Sequence, residues 1–152
     1  MSYSIIGESI KSALSIKLGE IFPNITRYKE SITNLKYPHF FIYQTSLDVL
    51  HEEKNRYHLN YLINIRYRFV EDIETATNLQ QQLDDIGLKL LSDLDYINLS
   101  LDETVKPVRI LNPRFEKADG VLQFFCNILV RAKKPEIKDP EMKDLNIEEG
   151  VN

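Results

Sequence analysis

Near the start of the chain, Ile6, Ile10, Ala13, Leu14, Leu18 and Ile21 return at three- and four-residue steps. Glu8, Lys11, Lys17 and Glu20 fall elsewhere on the wheel, so the spacing predicts an amphipathic helix over 4–21, and Pro23 stops it. From 24 to 31 the period shortens toward alternation. Lys36, Tyr37 and Pro38 then lead into Phe40, Phe41, Ile42 and Tyr43, and two strands are predicted here.

The clearest pattern lies at 57–69. Tyr57, Leu59, Tyr61, Ile63, Ile65, Tyr67 and Phe69 take every second position, opposite His58, Asn60, Asn64, Arg66 and Arg68. Successive strand residues point to opposite faces, so this alternation predicts a long half-buried strand. Residues 50–56, with His51, Glu52, Glu53, Lys54, Asn55 and Arg56, read as an exposed, charged hairpin tip joining it antiparallel to the preceding strand.

A second helix is expected at 73–94. Asp72 stands where an N-cap belongs, Glu71 and Glu74 sit near the positive end of the helix dipole, and Ala76, Leu79, Leu83, Ile86, Leu90 and Leu94 form the apolar stripe. Two more strands follow at 105–111 and 121–130, separated by Asn112, Pro113 and the turn pair Asp119-Gly120. Pro107 marks the first of these as an edge strand, because proline cannot donate to a ladder. Beyond Ala132 the periodicity gives way to charges, with Pro135 and Pro140 as breakers and only a few apolar residues, among them Met142, Leu145 and Ile147. The expected organisation is one α+β domain over 1–132 and a charged tail over 133–152, flexible or ordered by a partner.

The order helix, three strands, helix, two strands suggests a single, mainly antiparallel or mixed sheet packed against two helices. In the last strand Leu122, Phe124, Cys126, Ile128 and Val130 point one way, and Val121, Phe125 and Leu129 the other. Both faces of that strand therefore need cover, which a neighbouring subunit could supply.

A chain of 152 residues is long enough to bury a real core in one domain. Hydrophobic residues at 43% and charged residues at 28% match ordinary globular usage. The longest apolar runs are far shorter than the ~20 residues a bilayer requires, and no secretion-signal pattern opens the chain, so a cytoplasmic location is expected. The net charge is −4, with Lys and Arg scattered, which disfavours a surface built to track phosphates.

Candidate chemistry is sparse. Cys126 is the single cysteine, which rules out an intrachain disulfide or a cysteine-based zinc cluster. His39, His51 and His58 lack a ligand partner at helical spacing. The acid pairs Glu52-Glu53, Asp84-Asp85 and Glu148-Glu149 look like hydrated surface, and Gly7, Gly19, Gly87, Gly120 and Gly150 are too isolated to cradle phosphate. No serine sits in a nucleophile-elbow setting. Three of the eight tyrosines share one face of the 57–69 strand, where core packing is the simpler use than a ligand platform. No catalytic, cofactor or metal site is predicted.

Several short motifs carry a resemblance: Ile21-Phe22-Pro23 closing the first helix, Pro38-His39-Phe40-Phe41-Ile42 opening a strand, Asn55-Arg56-Tyr57 starting the long strand, and Asp119-Gly120-Val121-Leu122-Gln123-Phe124 in the last. Over about residues 5–132 the chain resembles the phage tail terminator, or tail completion, family of long-tailed phages, defective prophages and contractile phage-like bacteriocins. The resemblance implies a non-enzymatic subunit of a hexameric ring that caps the head-proximal end of the tail tube. Such a ring halts growth and then docks the neck and head, or closes a headless particle. Implied partners are further copies of the chain, the tail tube protein, and sheath and neck or head-connector proteins, with no sequence-specific nucleic acid and no membrane. Assembly would take place in the host bacterial cytoplasm.

Two contact regions are expected on this basis: the hairpin tip His51, Glu52, Glu53, Lys54, Asn55 and Arg56, and the tail residues Met142, Leu145 and Ile147. The rival assignments are a neck adaptor or head-completion protein of the same particle, and a small ligand-binding regulatory domain.

Overall fold

The structure is a computed structural model and describes residues 3–30, 32–53 and 56–133. Its elements are α1 (Tyr3–Ile21), β1 (Thr26–Tyr28), β2 (His39–Glu53), β3 (Arg56–Arg68), a 3-10 turn (Ile73–Thr75), α2 (Leu79–Asp93), β4 (Tyr96–Leu101), β5 (Thr104–Arg109), β6 (Leu111–Ala118) and β7 (Val121–Lys133). Five strands form one sheet in the order β1-β2-β3-β7-β6, and β4 and β5 form a separate hairpin. β1 runs parallel to β2, and every other pairing is antiparallel. The α+β class, the two helices and the mixed sheet are those expected.

One face of the sheet makes the core. Leu59, Tyr61, Ile63, Ile65 and Tyr67 of β3 lie beside Leu122, Phe124, Cys126, Ile128 and Val130 of β7, all buried. Ile10, Leu14 and Leu18 of α1 and Leu83 and Leu90 of α2 close over them with no exposed surface. Burying each such side chain contributes about 1.5–3 kcal/mol, so the stripes read from the sequence are the main driving force of the fold. α1 packs on β1, β2 and β4, while α2 packs on β6 and β7. Lys17 ties α1 to the small hairpin, lying 4.0 Å from the Tyr96 ring centroid and 4.0 Å from Asp95. Lys117 of β6 pairs with Asp84 of α2 at 2.7 Å, so Asp84 belongs to a helix–strand contact rather than to a merely hydrated face.

The strand count differs from expectation. The segment 105–111 is not one strand of the main sheet. Its first part is β5, paired with the unpredicted β4, and Leu111 opens β6, also unpredicted. A bulge between Leu111 and Arg114 accommodates Asn112, whose φ is 51°, together with Pro113, which is why these residues resemble a strand break. The second helix begins at Leu79, later than 73. Asp72 caps the 3-10 turn instead, accepting from the Glu74 amide at 3.0 Å, and Asn78 at φ 56° interrupts the helical path. The strand expected over 24–31 is the three-residue β1. Asp119 (φ 52°) and Gly120 (φ 73°) make the tight β6–β7 turn that their sequence signalled.

The second face of the sheet carries no helix and is dressed by its own side chains. Asn127 donates to Asn60 at 3.2 Å, and Asn64 donates to Gln123 at 3.1 Å. Arg66 lies over Tyr43, which stacks on Phe41 at 4.6 Å, and Arg114 lies over Phe125 at 5.2 Å. Val121 and Phe125 are half-buried and Leu129 is 38% exposed. Arginine stems and an amide ladder cover part of this face.

Candidate functional site

The three central strands outrun their neighbours at one end of the sheet. β1 covers β2 only from His39 to Phe41, and the β6–β7 ladder ends at Leu111 opposite Asn127. β3 and β7 stay paired all the way to Arg56 opposite Lys133, and β2 stays with β3 to Glu53 opposite Arg56. A three-stranded ribbon β2–β3–β7 thus projects beyond both edge strands. Its outermost described side chains include Val49 and Leu50, 46% and 49% exposed.

The hairpin expected as a seven-residue loop over 50–56 is narrower. His51, Glu52 and Glu53 continue β2 as strand and Arg56 already opens β3, while Lys54 and Asn55 lie outside the described residues. Irregularities between Gln44 and Ser46 and between His51 and Glu53 absorb extra residues without ending the ladder. Met142, Leu145 and Ile147 also lie outside the described residues. Lys133, the last described residue, stands opposite Arg56 at the start of β3.

Beside this ribbon lies a cleft of about 400 Å³. It is lined by Ile6 of α1, Leu99 and Leu101 of β4, Val108 of β5 and Val130 of β7, together with Arg56, Asp102, Lys106 and Arg131; Arg131 Nε donates to His58 Nε2 at 3.2 Å. The sequence reading missed this cleft because it missed β4. The alternation Ile97, Leu99, Leu101 against Asn98 and Ser100 was present but short, and it followed directly on a helix. A second, shallower groove of about 360 Å³ runs between α1 and β4, flanked by the exposed Ile5 and Ile16.

Burial pushes the Cys126 thiol up to about 12 and the Tyr67 hydroxyl to about 12. His39 is held below its ordinary value by burial, with the nearby Arg68 charge acting the same way and a hydrogen bond to the Lys36 carbonyl opposing them. Its Nδ1 donates to that carbonyl at 2.9 Å. Among the described residues, no three His, Cys, Asp or Glu side chains gather where a metal could be held, and no helix is long and apolar enough to cross a membrane. What the arrangement presents is contact surface: an overhanging three-stranded ribbon with a cleft beside it.

The family model for phage tail terminator proteins matches residues 9–140. The chain belongs to the phage tail terminator family. As a tail terminator it is a structural phage tail component and not an enzyme, and the family implies a role in ending tail growth and association with the tail tube. No curated protein matches the chain. One similar solved structure covers 91% of this terminator and 99% of its own chain, at 10% identity and a TM-score of 0.38.

Proposed function

We propose that the chain is one subunit of a hexameric ring that caps the head-proximal end of a tail tube, stops its growth and presents a docking surface to the neck and head or closes a headless particle. The observation that carries this proposal is the family match across residues 9–140, nearly the whole of the described fold. The ribbon β2–β3–β7 supports it, since a projecting element with a charged tip suits contact with the last tube ring better than a smooth sheet edge would. The hairpin residues His51 to Arg56 are the proposed tube contact. In this proposal residues 1–132 form the domain and 133–152 a partner-directed tail. A head-to-tail contact whose rotation closes after six copies yields a ring, whereas one that does not close yields a filament.

Mass measurement of the purified protein in solution, followed by negative-stain imaging alone and with assembled tail tubes, tests the proposal. Rings seated at one tube end are expected. A protein that stays monomeric and leaves both tube ends bare would exclude the cap, and binding only to neck or head components would favour an adaptor of the same particle.

A further inference from the structure

We propose that the overhanging edge of β2 in one copy pairs with the overhanging edge of β7 in the next, so that the sheet continues from subunit to subunit. The joint rests on the ring proposed above for the number of copies; the two edges that make it belong to the single chain.

Both outer edges of the ribbon lack a ladder partner. β1 covers β2 only as far as Phe41, and β6 leaves β7 at Asn127. β5, the strand before β6, pairs with β4 instead, and the cleft of about 400 Å³ opens between it and the end of β7. Among the described residues, no backbone–backbone hydrogen bond reaches the outer side of β2 beyond Phe41 or of β7 beyond Asn127. Every second residue of such an edge turns its N–H and C=O outward, a template for a further strand.

The two edges match in length. Between its two irregularities β2 runs regularly over 46–51, six residues, and the β7 overhang over 128–133 is also six. Lysine and proline, which commonly blunt an open edge, are absent from 44–53, where Val49 and Leu50 are exposed.

They also match in charge. Residues 46–53 include Asp48, Glu52 and Glu53 and no Lys or Arg, while 128–133 include Arg131 and Lys133 and no acid. Asn60 stands between Asp48 and Leu129 in the sheet, and His58 between Leu50 and Arg131. These four exposed residues therefore share the open face, at two matching levels on opposite sides of the ribbon. Arg131 Nε donates to His58 Nε2 at 3.2 Å, which holds the arginine on this face.

Only a second copy can bring the two edges together. β3 lies between them, so within one chain the acidic and basic edges stay apart. Two β2 edges would set acid against acid and two β7 edges cation against cation, so the complementary joint is head-to-tail. β2 and β7 are each antiparallel to β3 and thus run the same way. Rotation about an axis along the strands keeps that direction, and the new ladder is parallel. With the copies level, Arg131 is a diagonal neighbour of Asp48 in the next copy; with a shift of two residues it is the direct neighbour.

Charge exchange in the full chain tests the joint. Asp48→Arg and Arg131→Glu are each expected to weaken self-association at least about tenfold. Both side chains are exposed, so the melting temperature should not move. Mixed in equal amounts, the two variants meet in complementary joints when they alternate around an even-numbered ring. The mixture is therefore expected to recover wild-type mass in solution and rings on tail tubes. Either variant assembling alone as readily as the wild type would overturn the joint and leave the ring standing, as would a mixture that stays dissociated. Wild-type protein that forms no ring on tubes would overturn the ring itself and the joint with it. Amide hydrogen exchange gives an independent reading: exchange within 46–50 and 128–132 is expected to slow on assembly, and unchanged exchange in assembled rings would overturn the joint.

Discussion

Gly87 of α2 meets the ring of Phe115 of β6 so closely that a Cβ on the glycine would lie 2.7 Å from the ring. Helix and sheet therefore touch through a bare backbone at this point. A helical glycine normally costs about 1 kcal/mol relative to alanine, yet here that cost secures the approach of α2 to the sheet. Gly87→Leu is expected to destabilise by roughly 2–3 kcal/mol through overpacking, lowering the melting temperature by about 3–5 °C per kcal/mol. Adding Phe115→Ala should recover part of the loss, because it opens the space the leucine needs. Thermal denaturation of the two variants checks both statements; an unchanged melting temperature in Gly87→Leu would show that α2 sits farther from β6.

His39 makes stability pH-dependent. It is 2% exposed and packs against Tyr37, with ring centroids 4.8 Å apart. Its folded pKa lies below the ordinary value of 6.5, so between that lower pKa and 6.5 the unfolded chain binds more protons. The contribution is fully present above pH 6.5 and is lost as pH falls below it. Urea denaturation should show a midpoint that drops between pH 7.5 and 5.5 in the wild type, and a smaller drop in His39→Phe.

Cys126 should be inert in the folded protein. It is buried between the helices and the sheet, and burial holds its thiol near 12, so almost no thiolate exists at pH 8. A maleimide or Ellman's reagent is expected to label it only in denaturant. Rapid labelling of the native chain would mean that β7 opens locally.

The β4–β5 turn carries a conformational cost. Asp102 (φ 49°) and Glu103 (φ 65°) both adopt left-handed backbone, while Thr104 Oγ1 donates across the turn to the Leu101 carbonyl at 2.6 Å. Left-handed backbone costs a side chain-bearing residue roughly 1–2 kcal/mol, against which the greater unfolded-state freedom of glycine offsets about 0.5–1 kcal/mol. Glu103→Gly should stabilise by about 0.5–1 kcal/mol, and Glu103→Val should destabilise by at least as much. Chemical denaturation of the pair gives the two signs.

The long strand was legible because its residues alternate from Tyr57 to Arg68 with Leu62 the one apolar residue on the polar side, and α1 because Ile6, Ile10, Leu14 and Leu18 repeat at helical spacing. Asp119-Gly120 announced its turn because that pair tolerates positive φ at little cost. β4 and β6 were not legible. The turn Asp102-Glu103 lacks the glycine that marks a two-residue hairpin turn, and the bulge at Asn112 and Pro113 looks like a break. The cleft followed β4 out of view, since two of its lining residues, Leu99 and Leu101, stand on that strand.

The local pattern of apolar and polar residues was sufficient to determine which segments bury a face, because burial depends on periodicity that each segment carries by itself. It was also sufficient to show that no constellation of catalytic side chains is spelled out along the chain. Which strands pair, how far the central three outrun their neighbours, and how Arg66 comes to lie over Tyr43 and Arg114 over Phe125 on the open face were decided only in three dimensions. Those outcomes depend on register between segments distant in the chain: Arg56 meets Lys133 only because a ladder of thirteen pairs between β3 and β7 runs unbroken from Arg68 opposite Val121.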